Sequence, residues 1–130
     1  YGERQNVGGA YAMVIGIFVD QLLNGKPMTI RGDGEQRRDF TYVGDVVDAN
    51  IEVGFCDRLK GAHIYNVGNG DNRSVNQIVD LIGGDRVNTD PVIEPRETLA
   101  NNIALMECFD WKPTIRVEDW IKTYKEKLGL

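Results

Sequence analysis

Residues 28–54 read MTIRGDGEQRRDFTYVGDVVDANIEVG, and the order of signals within them decides the fold class. Met28-Thr29-Ile30 has the apolar and β-branched content of a short strand. Gly32-Asp33-Gly34 ends it with a turn, because glycine reaches backbone conformations closed to other residues. Phe40-Thr41-Tyr42-Val43, aromatic and β-branched, predicts a second strand. Asp45 then stands where a helix N-cap belongs, and Val46, Ala49 and Val53 follow at helical spacing, with Val47 and Ile51 widening the stripe.

The same alternation continues on both sides. Residues 10–24, AYAMVIGIFVDQLLN, are apolar on nearly every face and predict a helix buried on several sides, stopped by Gly25 and Pro27. His63-Ile64-Tyr65-Asn66-Val67 predicts a strand running into Gly68. Ser74 and Gln77 form a capping box ahead of Val75, Ile78, Val79 and Ile82, a helix that Gly83-Gly84 closes. Residues 101–109 and 117–128 are also expected to be helical. The last has Val117, Trp120, Ile121, Tyr124 and Leu128 on one stripe and Gly129 at its end. Short strands alternating with helices make the chain α/β, and with no linker or repeat its 130 residues form one domain.

Composition narrows the function classes. Fifteen Lys and Arg against 20 Asp and Glu leave a net charge of −5, which excludes a general nucleic-acid surface, since phosphate-backbone affinity needs clustered positive charge. Two cysteines, Cys56 and Cys108, are too few for a disulfide framework and are expected as reduced thiols in a cytoplasmic protein. The single His63 offers no first-row metal site. No run approaches the length of a membrane span and no signal segment is visible, so neither membrane insertion nor secretion is expected.

The sequence carries no familiar catalytic signature. Gly68-Asn69-Gly70 lies between a predicted strand and helix, as a dinucleotide loop would, but Arg73 stands where the third glycine of G-x-G-x-x-G belongs. The loop therefore reads as an ordinary β-to-α turn. The residues four positions after Tyr1, Tyr11, Tyr42, Tyr65 and Tyr124 are Gln5, Ile15, Val46, Asn69 and Leu128. No Tyr-x-x-x-Lys pair exists in which an ammonium could activate a phenol. There is no G-x-S-x-G elbow and no P-loop. Asp45 and Asp48 near a helix start are accounted for by the helix dipole.

Several segments taken together resemble one family. They are Tyr1-Gly2-Glu3-Arg4-Gln5, then Gly9-Ala10-Tyr11-x-x-Val14-Ile15, and the run from Gly32 to Val43, in which G-D-G-x-Q-x-R-D-F-x-Y-V is specific. Asp45-Val46-Val47-x-Ala49, Tyr65-Asn66-Val67-Gly68 and Trp111-Lys112-Pro113 continue the match. The chain resembles the C-terminal part of Rossmann-type extended short-chain dehydrogenases of the NAD-dependent epimerase/dehydratase family, and within it the nucleotide-sugar 4-epimerases.

The resemblance implies a substrate-lobe fragment over residues 1–130, with the NAD-binding N-terminal portion upstream of the point matching Tyr1. NAD is the cofactor of the full-length family, and none is expected to bind this chain tightly alone. No catalytic residue is expected in it. The implied ligand is a UDP-sugar, and the implied association is with a further copy or with an N-terminal half.

The implied binding residues follow from the matching positions. Arg38 matches the arginine of R-D-F that contacts the nucleotide diphosphate, and a guanidinium fork suits that anion. Ala10 and Tyr11 match a segment beside the sugar and its diphosphate, where the start of a helix offers free N–H groups; core packing is the other reading of Tyr11. Met28, Thr29 and Ile30 match the strand whose backbone contacts the uracil. Counting back from Ala100-Asn101 places Val92 where relatives carry a second diphosphate arginine, with nearby Arg96 as its substitute. The expected function is the UDP-sugar-binding part of a 4-epimerase. The alternatives are a stand-alone nucleotide-sugar-binding or structural module, and a fragment of a dehydratase or decarboxylase.

Overall fold

In the computed structural model, which describes residues 1–9 and 11–130, the apolar run folds as α1 (Val14–Leu23). This helix starts four residues later than predicted. The amides of Ala12 and Met13 are spent on turns back to Gly9 O (3.2 Å) and Asn6 O (3.0 Å), so the first helical bond runs from Ile17 N to Met13 O. Ile15, Phe18 and Val19 are buried on one face of α1. Tyr11 lies ahead of the helix and is 82% exposed, so it neither joins the core nor stands at the helix start.

β1 (Met28–Arg31) forms as predicted, with Met28 and Ile30 pointing into the core. Its partner is β4 (Arg86–Thr89), paired in parallel with Met28 opposite Arg86 and Arg31 opposite Thr89. All four residues of β4 are exposed, so the apolar alternation that marks a strand is lacking there. Gly32 and Gly34 take φ of 68° and 76° in the turn that follows β1, where a side chain would be strained.

The predicted strand at residues 40–43 does not form. The strand lies just upstream as β2 (Arg37–Arg38), antiparallel to β3 (Arg73–Ser74). Tyr42 takes the N-cap position of α2 (Val43–Gly54), displacing Asp45 into the helix's first turn. There Asp45 is buried and does a different job. Its carboxylate accepts from Thr114 N (3.0 Å) and Thr114 Oγ1 (2.6 Å), and its carbonyl accepts from Trp111 Nε1 (2.9 Å). Val47 and Ile51, expected to widen the buried stripe, are half exposed.

α3 (Val75–Ile82) opens on the predicted capping box. Gln77 N donates to Ser74 Oγ (3.1 Å) and Ser74 N donates to Gln77 Oε1 (2.8 Å). α4 (Ile103–Cys108) and α5 (Val117–Leu128) lie within the predicted spans, and Gly129 closes α5 in the left-handed conformation at φ 74°. Arg73 ties β3 to α5 through Glu118 Oε1 (2.6 Å).

Two apolar clusters result. The larger joins α1, β1, α3 and α5 through Phe18, Met28, Ile30, Ile78, Ile82 and Ile121. The smaller gathers Ala49, Leu105, Phe109 and Trp111, with Tyr65 packed edge-on against Phe109 at 5.6 Å. Residues 63–67 pass beside this second cluster as irregular chain, not as the predicted strand, and Ile64 is 95% exposed. A strand needs a neighbour to accept its backbone bonds, and among the described residues none pairs with 63–67.

Candidate functional site

β1 and its glycine turn end at a cleft of about 280 Å³ whose far wall is the segment from Pro91 to Arg96. That wall is anchored to β2. Arg37 N donates to Arg96 O (2.8 Å) and Thr98 N donates to Arg37 O (3.1 Å), so residues 96–98 run as an extra strand-like edge. Backbone pairing thus brings Arg96 to the end of β1 where Arg31 stands, beside the strand that carries Arg38.

Their surroundings differ. Arg31 lines the cleft and pairs with no carboxylate among the described residues. Arg38 donates from Nη1 to its neighbour's carbonyl, Arg37 O (2.7 Å), and from Nη2 to Glu94. Gln36, only 7% exposed, donates its amide to Arg31 O (3.0 Å) and to Glu94 Oε1 (3.2 Å). Arg96 forms a two-pronged pair with Asp33, at 2.8 and 3.0 Å. That fork, with the Glu35 N–H, holds the Asp33 carboxyl down at about 2. Arg37 points elsewhere and is structural, bound to Asn72 through Nε and Nη2.

Of the residues implied by resemblance, Arg96 lines the cleft, and Arg38 stands behind it, bonded to the lining residue Glu94. Val92 lines it as well, so both candidates for the second arginine's place are there. Thr29 and Ile30 lie on the strand that leads into it, but neither lines it. Ile30 is fully buried. Thr29 is engaged by Gln21, which accepts from Thr29 N (3.0 Å) and donates to Thr29 Oγ1 (2.9 Å). Tyr11 is not part of the cleft, and Ala10 lies outside the described residues. Gln36, Glu94 and Asp33 were not expected from sequence. Glu94 is 56 residues from Arg38, and no local spacing connects them.

The Gly68-Asn69-Gly70 loop does not fit a dinucleotide pyrophosphate. The Asp39 carboxylate already accepts from Asn69 N (2.8 Å), Gly70 N (3.0 Å) and Ala100 N (3.0 Å), filling the amide cradle. A Cβ on Gly68 would meet Ala100 Cβ at 2.2 Å, so this glycine serves close chain packing.

Comparison with known proteins agrees with this architecture. The model of the NAD dependent epimerase/dehydratase family matches residues 1–68. A Methanocaldococcus jannaschii protein named as a UDP-glucose 4-epimerase is 40% identical over 128 residues, covering 94% of this chain and 40% of that protein. The dTDP-4-dehydro-6-deoxyglucose reductase of Escherichia coli is 32% identical, with 93% of this chain and 40% of the relative covered. Among solved structures, the UDP-glucose 4-epimerase of Thermotoga maritima with UDP-glucose superposes with a TM-score of 0.83 at 29% identity. That match covers 98% of this chain and 44% of the other. The Bacillus cereus UDP-glucuronic acid 4-epimerase, in complex with UDP-glucuronic acid and NAD, gives a TM-score of 0.81 at 25% identity over 98% of this chain and 43% of that one. The chain thus spans about two-fifths of the length of these relatives. No helix of the described residues is long and apolar enough to cross a membrane.

Proposed function

Because the chain belongs to the NAD-dependent epimerase/dehydratase family, we propose that residues 1–130 are the C-terminal, nucleotide-sugar-binding portion of such an enzyme, taking a UDP-sugar at the cleft where β1 ends. The observation that carries this reading is that Arg96 lines that cleft and Arg38, far from it in sequence, reaches its wall through Glu94. A planar guanidinium offers two parallel N–H donors to a pair of anionic oxygens, which suits a diphosphate better than it suits a neutral ligand.

Each residue then has a task. Arg38, fixed by its own bond to Arg37 O, presents Nη2 to the first phosphate. Arg96, whose backbone is pinned to β2, presents its fork to the second. Arg31 stands at the strand end, where a nucleobase would pass. The base would reach the N–H of Thr29 only by displacing the Gln21 amide. NAD supplies hydride transfer in the family. The Gly68 loop cannot cradle its pyrophosphate and no Tyr-x-x-x-Lys pair is available, so this chain alone binds without turning over. We propose further that the chain associates with a second copy or with an N-terminal half.

Calorimetric titration with UDP tests the reading. Arg38→Ala is expected to weaken UDP binding by roughly 1.5–3 kcal/mol, about 10- to 100-fold, the worth of a hydrogen bond to a charged group. Lysine at that position should restore only part, being a point charge without the fork. Equal affinity in Arg38→Ala and the parent would remove the diphosphate from this cleft. Epimerase turnover by the purified chain with NAD would overturn the binding-only part.

A further inference from the structure

Both paired guanidiniums at the cleft are held by carboxylates of this same chain, and the two seats are not alike. Asp33 and Arg96 are both more than half exposed, a surface pair that any anion in solution could replace. Glu94 is different. It lies in a built anion seat, accepting at one oxygen from Arg38 and at the other from the amide of nearly buried Gln36, which is itself held by Arg31 O. Side-chain exposure of 24% for Arg38 and 33% for Glu94 leaves the pair only partly screened.

Resting on the proposed function, we infer that Glu94 is an internal stand-in for a phosphate of the nucleotide: its carboxylate occupies the seat the diphosphate takes and gates access to Arg38. A phosphate, like a carboxylate, carries two anionic oxygens on one central atom, one to accept from Arg38 Nη2 and the other from the Gln36 amide. The exchange needs no rearrangement of the wall. Arg96 O stays bonded to Arg37 N, so the backbone two residues on is fixed while the Glu94 side chain swings out. A nucleotide must displace Glu94 and then tolerate its negative charge close by, so affinity is set below what Arg38 could otherwise provide.

The test compares UDP affinity in Glu94→Gln and the parent chain, each with and without Arg38→Ala. Glutamine keeps the size of the side chain but removes the charge. It is expected to tighten UDP binding about fivefold, the upper range for releasing a partly exposed ion pair. Its thermal stability should fall slightly at the same time. A merely structural Glu94 would lose affinity and stability together, so the opposite signs identify the gate. The gain should vanish once Arg38 is alanine. Unchanged or weaker binding in Glu94→Gln overturns the gate, as does a gain that persists without Arg38. Failure of Arg38→Ala to weaken the parent overturns the site itself, and absence of UDP binding in both the parent and Glu94→Gln overturns both.

Discussion

A carboxylate's worth in this chain depends on what donates to it. Asp39 closes three backbone N–H groups, Asp45 closes the Thr114 amide and hydroxyl, and Asp33 closes a guanidinium in full solvent. Asp33 gives the most direct electrostatic reading. The Arg96 fork lowers its carboxyl from an ordinary 3.8 to about 2. A depressed folded value means that the ion pair favours the folded state above the unfolded pKa and is lost as pH falls from about 4 toward 2. The group is exposed, so the effect on overall stability is screened and the site-specific titration is the better observable. A carboxyl NMR titration should place the Asp33 midpoint near 2. In Arg96→Ala the midpoint should return toward the ordinary range. A midpoint near 3.8 in the parent would mean that the fork is not formed in solution.

Elements in this fold are stabilised either by their own ends or by their neighbours, and only the first kind can be read locally. α3 carries its start signal in Ser74 and Gln77, its apolar stripe in Val75, Ile78, Val79 and Ile82, and its stop in Gly83. Ser74→Ala removes one half of the reciprocal cap and should cost about 1 kcal/mol in chemical denaturation. A loss below a few tenths would mean that the β2–β3 pairing, not the cap, sets this boundary. The glycine turn after β1 and the Gly129 cap of α5 were legible for the same reason. β4 was not, because it is a strand only through its parallel pairing with β1 and shows four exposed residues. The converse holds at 63–67, where strand-like composition meets no partner. The start of α1 was displaced by turn bonds to Asn6 and Gly9 that no helical period reveals. Of the pair proposed at the cleft, Arg38 is nominated by resemblance alone. Its partner Glu94 was not legible, since a contact between residues 56 positions apart is a property of the packed loop.

At the scale of the whole molecule, the exposed apolar side chains of α2 form a row that its own fold leaves uncovered. Val43, Val47, Ile51 and Phe55 recur every four residues along α2, the first three 51% exposed and Phe55 84%. This spacing sets them in a single stripe along the helix. A cleft of about 460 Å³ opens at its start, between residues 2–5 and α2. Both polar atoms of the Gln5 side chain, which packs beside Gly16 of α1, are buried with no partner among the described residues. Half-exposed aliphatic side chains have roughly 1 kcal/mol each still to gain from burial. That gain favours pairing of the stripe with another surface, and the free energy lost in ordering two molecules works against it. Light scattering of the chain at tens of micromolar is therefore expected to give a mass at or above a dimer, and Val47→Glu with Ile51→Glu should return it to a monomer, because a charge on the stripe would have to be desolvated on pairing. A parent chain that stays monomeric at that concentration would show that α2 presents its stripe to solvent without penalty. An oligomer that survives both glutamates would move the interface to another face.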